Sequence, residues 1–213
     1  MKSNNYGKLI TFEGGEGAGK TTQINYLTSK LKNKLFKKII STREPGGTEE
    51  GEKIRSILVE SSKKSINPNT ELMLICAARY EHINKVIIPA LNKGIWVCCD
   101  RFIDSTIAYQ GYGHQLGVDI VNKINNIFFL KCIPDLTFIF DIDPSKGINR
   151  TKKRENCEDR FENMDISFHE RVRKGFLDIA NNNSKRCYII DAELSIDDIE
   201  EKIWNIILDK FGD

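Results

Sequence analysis

The amino-acid sequence predicts an α/β fold, a five-stranded parallel sheet flanked by helices. Three observations predict it. Short apolar, β-prone runs alternate with longer helical runs along the 213 residues. Several short runs are apolar without a break, as in Ile95-Trp96-Val97-Cys98-Cys99, which suits strands covered on both faces. The first run passes straight into a glycine-rich loop and then into a helix.

The elements follow in order. Strand 9–13 (Leu-Ile-Thr-Phe-Glu) leads into Gly14-Gly15-Glu16-Gly17-Ala18-Gly19-Lys20-Thr21, a full match to the phosphate-loop pattern G-x-x-x-x-G-K-[ST]. Glycines let consecutive N–H groups turn inward on phosphate oxygens. Lys20 brings a mobile cation, Thr21 a hydroxyl for Mg²⁺, and the helix start a positive dipole end. A turn that binds nothing has no need of Gly, Lys and Thr at these offsets. Helix 20–35 follows, with Ile24, Leu27, Leu31 and Leu35 on one stripe.

Strand 38–42 runs into Thr42-Arg43-Glu44-Pro45-Gly46-Gly47-Thr48, ahead of helix 49–59. Turn chemistry accounts for Pro45, Gly46, Gly47 and a capping Thr48, but not for Arg43, whose guanidinium suits a phosphate or carboxylate. A long helical pattern covers 70–92. Strand 95–100 ends in Asp100-Arg101. That Asp reads either as a carboxylate facing Mg²⁺ or as the cap of the next turn, and the upstream loop favours the metal. The polar and aromatic stretch from Phe102 to Gly113 reads as a pocket for a second small molecule or as a plain helix start. Helix 118–130, strand 136–141, helix 144–153, helix 167–180, strand 187–190 and helix 196–211 complete the chain. The basic run Arg150, Lys152, Lys153, Arg154, Arg160, Arg171 and Arg173 reads as a solvated helix face or as a cationic lid. In a parallel sheet, Glu13/Gly14, Arg43, Asp100/Arg101 and Asp141 gather on one rim, at the carboxyl ends of the strands.

Composition narrows the classes. A formal charge of +2 gives no overall basic field, so nucleic acid is not an expected partner. The six cysteines show neither C-x-x-C nor zinc spacing and suit a cytoplasmic protein with reduced thiols. No signal-peptide pattern opens the chain, no apolar run is long enough to span a membrane, and no repeat is visible. The guanine-binding pattern N-K-x-D fails at Ile95, which argues against a GTPase switch.

The segments 12–23, 42–48, Asp-Arg-Phe-Ile-Asp-Ser-Thr-Ile-Ala-Tyr-Gln at 100–110 and Asp-Arg-Phe-Glu at 159–162 resemble thymidylate kinase of the bacterial type. They occur in the family's order, from about residue 8 to the C-terminus. The resemblance implies the P-loop nucleoside monophosphate kinase fold, one domain over 1–213 with a mobile lid at about 147–162. It implies transfer of the ATP γ-phosphate to dTMP with Mg²⁺, to give dTDP for DNA synthesis, in a homodimer. Gly14, Gly15, Glu16, Gly17, Ala18, Gly19, Lys20, Thr21 and Thr22 are then expected at ATP. Glu16, Arg43, Leu58, Ile75, Arg79, Arg101, Ser105, Thr106, Tyr109 and Gln110 are expected at dTMP. Within that set Glu16 takes the sugar 3′-hydroxyl, Arg43 and Arg101 the acceptor phosphate, Arg79 and Thr106 the base, and Tyr109 crowds the 2′ position. Lys20, Asp100, Arg101, Arg150 and Arg154 are the expected catalytic groups, with Thr21 and Asp100 at Mg²⁺, partly through water. Two departures stand out: Ile75 where the family has a stacking Phe, and a lid one residue longer.

Overall fold

The computed structural model describes residues 6–35, 37–60, 66–152 and 159–212. Five strands form one parallel sheet: β1 (Leu9–Gly14), β2 (Ile39–Arg43), β3 (Trp96–Asp100), β4 (Leu136–Asp141) and β5 (Cys187–Asp191), in the order β2-β3-β1-β4-β5. The strand count and direction are those expected. The central strands β1, β3 and β4 are buried on both faces, their side chains alternating between two layers. Ile10 and Phe12 point into a core with Leu27, Leu31, Phe138 and Ile203. Leu9, Val97 and Cys99 point the other way, towards Ile83, Ile87 and Phe102.

The first face is covered by α1 (Lys20–Lys34) and α10 (Ile196–Phe211), which touch each other. α10 starts at Ser195, whose hydroxyl accepts from the Asp198 N–H at 3.1 Å. α9 (Ile166–Asn182) packs on the other face, its Phe168, Val172 and Phe176 meeting Ile139.

The expected helix 70–92 is longer and interrupted. α3 (Pro68–His82) begins at the Asn67 cap and is followed by a π-helical turn, Ile83–Ile87, and by α4 (Ile88–Asn92). Pro89 accounts for the break, since its ring lacks an N–H and clashes with the carbonyl four residues back. A short α5 (Ile103–Thr106) and a second π-helical segment, Ile107–Gly113, follow β3. The remaining elements are α2 (Glu49–Glu60), α6 (Val118–Phe128), α7 (Pro144–Thr151) and α8 (Asp159–Glu162).

The strand register assembles the expected rim. Arg43 lies opposite Asp100, Phe12 opposite Asp100, and Gly14 opposite Phe140. Cys98, Cys99, Cys132 and Cys187 are buried, and Cys76 is partly so. No helix of the described residues is long and apolar enough to cross a membrane.

Candidate active site

The loop between β1 and α1 curls because three of its glycines take positive φ: 132° at Gly14, 66° at Gly17 and 86° at Gly19. At Gly17 close approach matters as much as the dihedral. A Cβ there would lie 2.1 Å from the Gly147 carbonyl oxygen, so the loop tip rests directly on the backbone of α7. Lys20, at the start of α1, folds back and donates from Nζ to the carbonyls of Gly14 (3.2 Å) and Gly15 (2.9 Å). The Thr21 hydroxyl donates to Asp100 Oδ2 at 3.0 Å, so loop and third strand meet as a pair of oxygen donors.

Arg101 is the hinge between the loop and the second half of the cleft. It is a non-glycine residue at φ 66°, a conformation costing about 1–2 kcal/mol. Its Nη1 donates to Gly14 O at 3.0 Å, its Nη2 pairs with Glu16 at 2.7 Å, and its guanidinium centre sits 4.8 Å from the centre of the Tyr109 ring. The Tyr109 hydroxyl donates to the same Glu16 oxygen at 2.7 Å. Glu16 therefore faces away from the loop backbone and towards the far side of the cleft.

That far side is a cleft of about 440 Å³ continuous with the phosphate loop. Glu16, Arg43, Leu58, Ile75, Arg79, Arg101, Ser105, Thr106, Tyr109 and Gln110 all line it. Two polar atoms there are buried and have no partner: Arg79 Nη1, a donor, and Thr106 Oγ1. Leaving such an atom unpaired costs about 1–3 kcal/mol. Gln110 is held by Glu71, which also takes the Arg160 guanidinium of α8. Arg160 Nη1 donates to Leu58 O at 3.2 Å as well, so one arginine ties α8 to α2 and α3 beside the cleft.

Burial and neighbouring charges strongly displace the pKa values of Glu16, Lys20 and Glu13. Burial alone would raise the Glu16 carboxyl, but Arg101, then Lys20 and the Tyr109 hydroxyl, bring it down to about 2. Burial first, then Arg101, lowers Lys20 to about 8 against the pull of Asp100 and Glu16. Burial first, then the Asp104 charge, raises Glu13 to about 8, although the Ser105 hydroxyl donates to its Oε2 at 2.5 Å. Glu13 thus holds a proton at neutral pH. In the unfolded chain it loses that proton near its ordinary 4.5, so between about 4.5 and 8 the folded form binds the extra proton. Stability from this group is therefore full below 4.5 and falls as pH rises to 8. Glu13→Gln is expected to remove this slope. Melting curves of both proteins at pH 5 and pH 8 should show the variant gaining on the parent at pH 8, and parallel curves would exclude a titrating Glu13.

A thymidylate kinase family model matches residues 12–203. The chain belongs to the thymidylate kinase family. The thymidylate kinase of Magnetococcus marinus is 44% identical over 205 residues, 96% of this chain and 97% of that protein. That of Onion yellows phytoplasma is 47% identical over 204 residues, 95% of each. The crystal structure of thymidylate kinase from Ehrlichia chaffeensis superposes with a TM-score of 0.77 at 35% identity, covering 95% of this chain and 98% of that one. Family membership carries the reaction class, phosphorylation of dTMP to dTDP, with ATP as the donor.

Within the thymidylate kinase frame most expected site residues converge. Gly17, Ala18, Gly19, Lys20, Thr21 and Thr22 line the cleft with Asp100 and the ten acceptor-side residues, while Gly14 and Gly15 do not line it and serve as carbonyl partners of Lys20. The basic run divides. Arg150 donates to the Ala192 carbonyl at 2.9 Å, at the β5 end, and is not part of the cleft wall. Arg173 pairs with Asp141 and Arg171 with the Gly113 carbonyl, so both are tied to the framework. Lys153 and Arg154 lie outside the described residues. Phe161 and Arg55 line the cleft without having been singled out in sequence. Phe161 stands edge-on to Tyr109 at 5.5 Å, and its place in Asp-Arg-Phe-Glu was the available signal.

Proposed function

We propose that the cleft holds ATP and dTMP end to end, with the loop 14–21 at the ATP phosphates and the α3–α5 wall at dTMP. The observation that carries this is the buried, unpartnered pair Arg79 Nη1 and Thr106 Oγ1 at the acceptor end. A thymine edge offers a carbonyl acceptor and a ring N–H donor, and these two atoms offer a donor and a hydroxyl that accepts. Leu58 and Ile75 give that base apolar walls. Glu16, aimed into the cleft by Arg101 and Tyr109, takes the sugar hydroxyl. Arg43, paired at 3.1 Å with the exposed Glu52, and Arg101 take the acceptor phosphate.

In the reaction an oxygen of the dTMP phosphate forms a bond to the γ-phosphorus as the bond to the β–γ bridging oxygen breaks, leaving ADP. The acceptor phosphate is ionised near neutrality, so no general base is needed, and the work is alignment and charge neutralisation. Lys20 reaches the β- and γ-phosphates, whose charge would stabilise its own. Thr21 and Asp100 form an all-oxygen, partly open donor pair, which fits Mg²⁺ with the remainder of its shell from water and phosphate. Bound there, Mg²⁺ would neutralise charge on the transferring group. Arg150 is the lid cation we assign to the donor side, where it would have to leave the Ala192 carbonyl to reach the phosphates. We also propose a cytoplasmic location, which the free, buried cysteines suit.

Calorimetry with dTMP and with thymidine tests the second phosphate site. dTMP should bind at least about 10²-fold tighter, and Arg43→Gln should remove part of that gap. Equal affinities for the two ligands would overturn the assignment.

We further propose a homodimer through α3 and α6. Met73, Ile127, Phe128 and Leu130 are 55–73% exposed, and Tyr80 meets Phe128 edge-on at 6.4 Å, joining the two helices into one apolar face. Sedimentation should give a dimer that Ile127→Lys weakens, and a parent monomer at micromolar concentration would contradict it.

A further inference from the structure

His82 is fully buried, carries a hydrogen bond at each ring nitrogen, and has no part in the chemistry above. Its Nδ1 lies 2.9 Å from Glu44 Oε1, and its Nε2 lies 2.7 Å from Thr42 Oγ1. A carboxylate only accepts, so Nδ1 carries the hydrogen, and in the neutral ring Nε2 accepts from the Thr42 hydroxyl. The other Glu44 oxygen takes Arg79 Nε at 2.6 Å. Arg79 is then held on nearly every side. Its Nη2 donates to Phe102 O at 3.0 Å, and its guanidinium centre lies 5.4 Å and 5.5 Å from the Phe102 and Phe129 ring centres. Only Nη1 is left, and it is one of the two unpartnered cleft atoms.

A second feature is built around the same ring. Gly47, at φ +79°, packs so closely on His82 that a Cβ would fall 2.6 Å from its Cδ2 and Nε2 and 2.8 Å from Thr42 Oγ1. The Pro-Gly-Gly turn thus wraps the imidazole. Ligand-capable atoms of Glu44, His82 and Cys99 come within 4.8 Å of one another, but Arg79 already occupies Glu44, so the cluster takes a guanidinium where a metal ion would need the carboxylate.

We propose that His82 is a positioning residue for acceptor recognition: through Glu44 it locks Arg79 so that Nη1 meets the acceptor base. The inference rests on the assignment of Arg79 to that base. The Thr42–His82–Glu44–Arg79 chain joins the end of β2 to α3, so acceptor affinity depends on a group that never touches the acceptor. Donor binding and the phosphoryl step lie outside the chain.

Steady-state kinetics with dTMP and ATP varied separately tests it, on His82→Leu, His82→Asn, Thr42→Val, Arg79→Lys and the double variant Arg79→Lys/His82→Leu. His82→Leu should raise KM for dTMP about tenfold while kcat and KM for ATP stay within about threefold. His82→Asn, whose amide can donate to Glu44 from near the Nδ1 position, should recover most of that loss. Arg79→Lys keeps a cation for Glu44 but removes Nη1, and in its background His82→Leu should add less than about twofold. An unchanged KM for dTMP in His82→Leu beside a raised one in Arg79→Lys overturns the inference and leaves the Arg79 assignment standing. So does full additivity, or an equal rise in KM for ATP. An unchanged KM in Arg79→Lys overturns the assignment and the inference together. Should His82→Leu fail to fold, Thr42→Val decides: a rise of about threefold in KM for dTMP supports the chain, and no change overturns it.

Discussion

Lys20→Ala is expected to lower kcat by about 10³-fold or more, without a matching loss of folded stability. Both halves follow from where Lys20 sits. Its ammonium is buried against the Gly14 and Gly15 carbonyls, and burial brings its pKa down to about 8. The unfolded chain therefore holds this proton more tightly than the folded one, and stability attributable to Lys20 rises as pH goes from about 8 to 10.5. At neutral pH the charged group works against the fold, and it is retained for what it does to phosphates. The alanine variant should melt at or above the parent at pH 7 and lose the stability gain between pH 8 and 10. Near-parent kcat would refute the phosphate loop as the donor site. A clear fall in melting temperature at pH 7 would refute the cost assigned to the buried charge.

Arg101 carries the second large effect, and it separates chemistry from backbone. Arg101→Ala and Arg101→Gly both remove the guanidinium that holds Glu16 and faces the acceptor phosphate. Each should lower kcat/KM for dTMP by about 10²–10³-fold. The two should differ in stability, because residue 101 sits at φ 66°, where glycine is at ease and alanine is not. The glycine variant should be the more stable by about 1 kcal/mol, read by denaturant unfolding. The loss of the Glu16 pairing is common to both and cancels. Equal stabilities would remove the strain, and activity within tenfold of the parent would remove the role.

How much of this is legible in the sequence depends on whether the chemistry is local. The phosphate loop is legible because cradling an anion needs glycines, a lysine and a hydroxyl at fixed offsets within eight residues. The rim of Gly14, Arg43, Asp100 and Arg101 is legible because parallel strands put their carboxyl ends together. The Arg79–Glu44–His82 cluster is not, since Glu44 and His82 are 38 positions apart and meet only because the turn after β2 closes on the end of α3. The π-helical turn at Ile83–Ile87 had a local cause in Pro89, but helical spacing continues across it and hides the break. Periodicity likewise cannot separate Leu72, Ile83 and Ile87 from Ile127 and Phe128. The first three lie in the core and the last two are exposed, because α6 turns one apolar face away from the sheet. The cationic run from Arg150 to Arg173 reads as one feature in sequence and divides in space, since Arg171 and Arg173 lie on α9 with partners of their own.

The central claim is that the cleft beside the phosphate loop accepts a thymine nucleotide by its base and its phosphate at once. The most direct measurement is ADP release from ATP with dTMP, dCMP, dGMP, AMP and thymidine as acceptors. The account predicts the highest kcat/KM for dTMP, a loss of at least about 10²-fold for dCMP, where an amino group replaces the carbonyl facing Arg79 Nη1, and essentially no turnover of thymidine. Turnover of dCMP or AMP as efficient as that of dTMP, or phosphorylation of thymidine at a comparable rate, would contradict it.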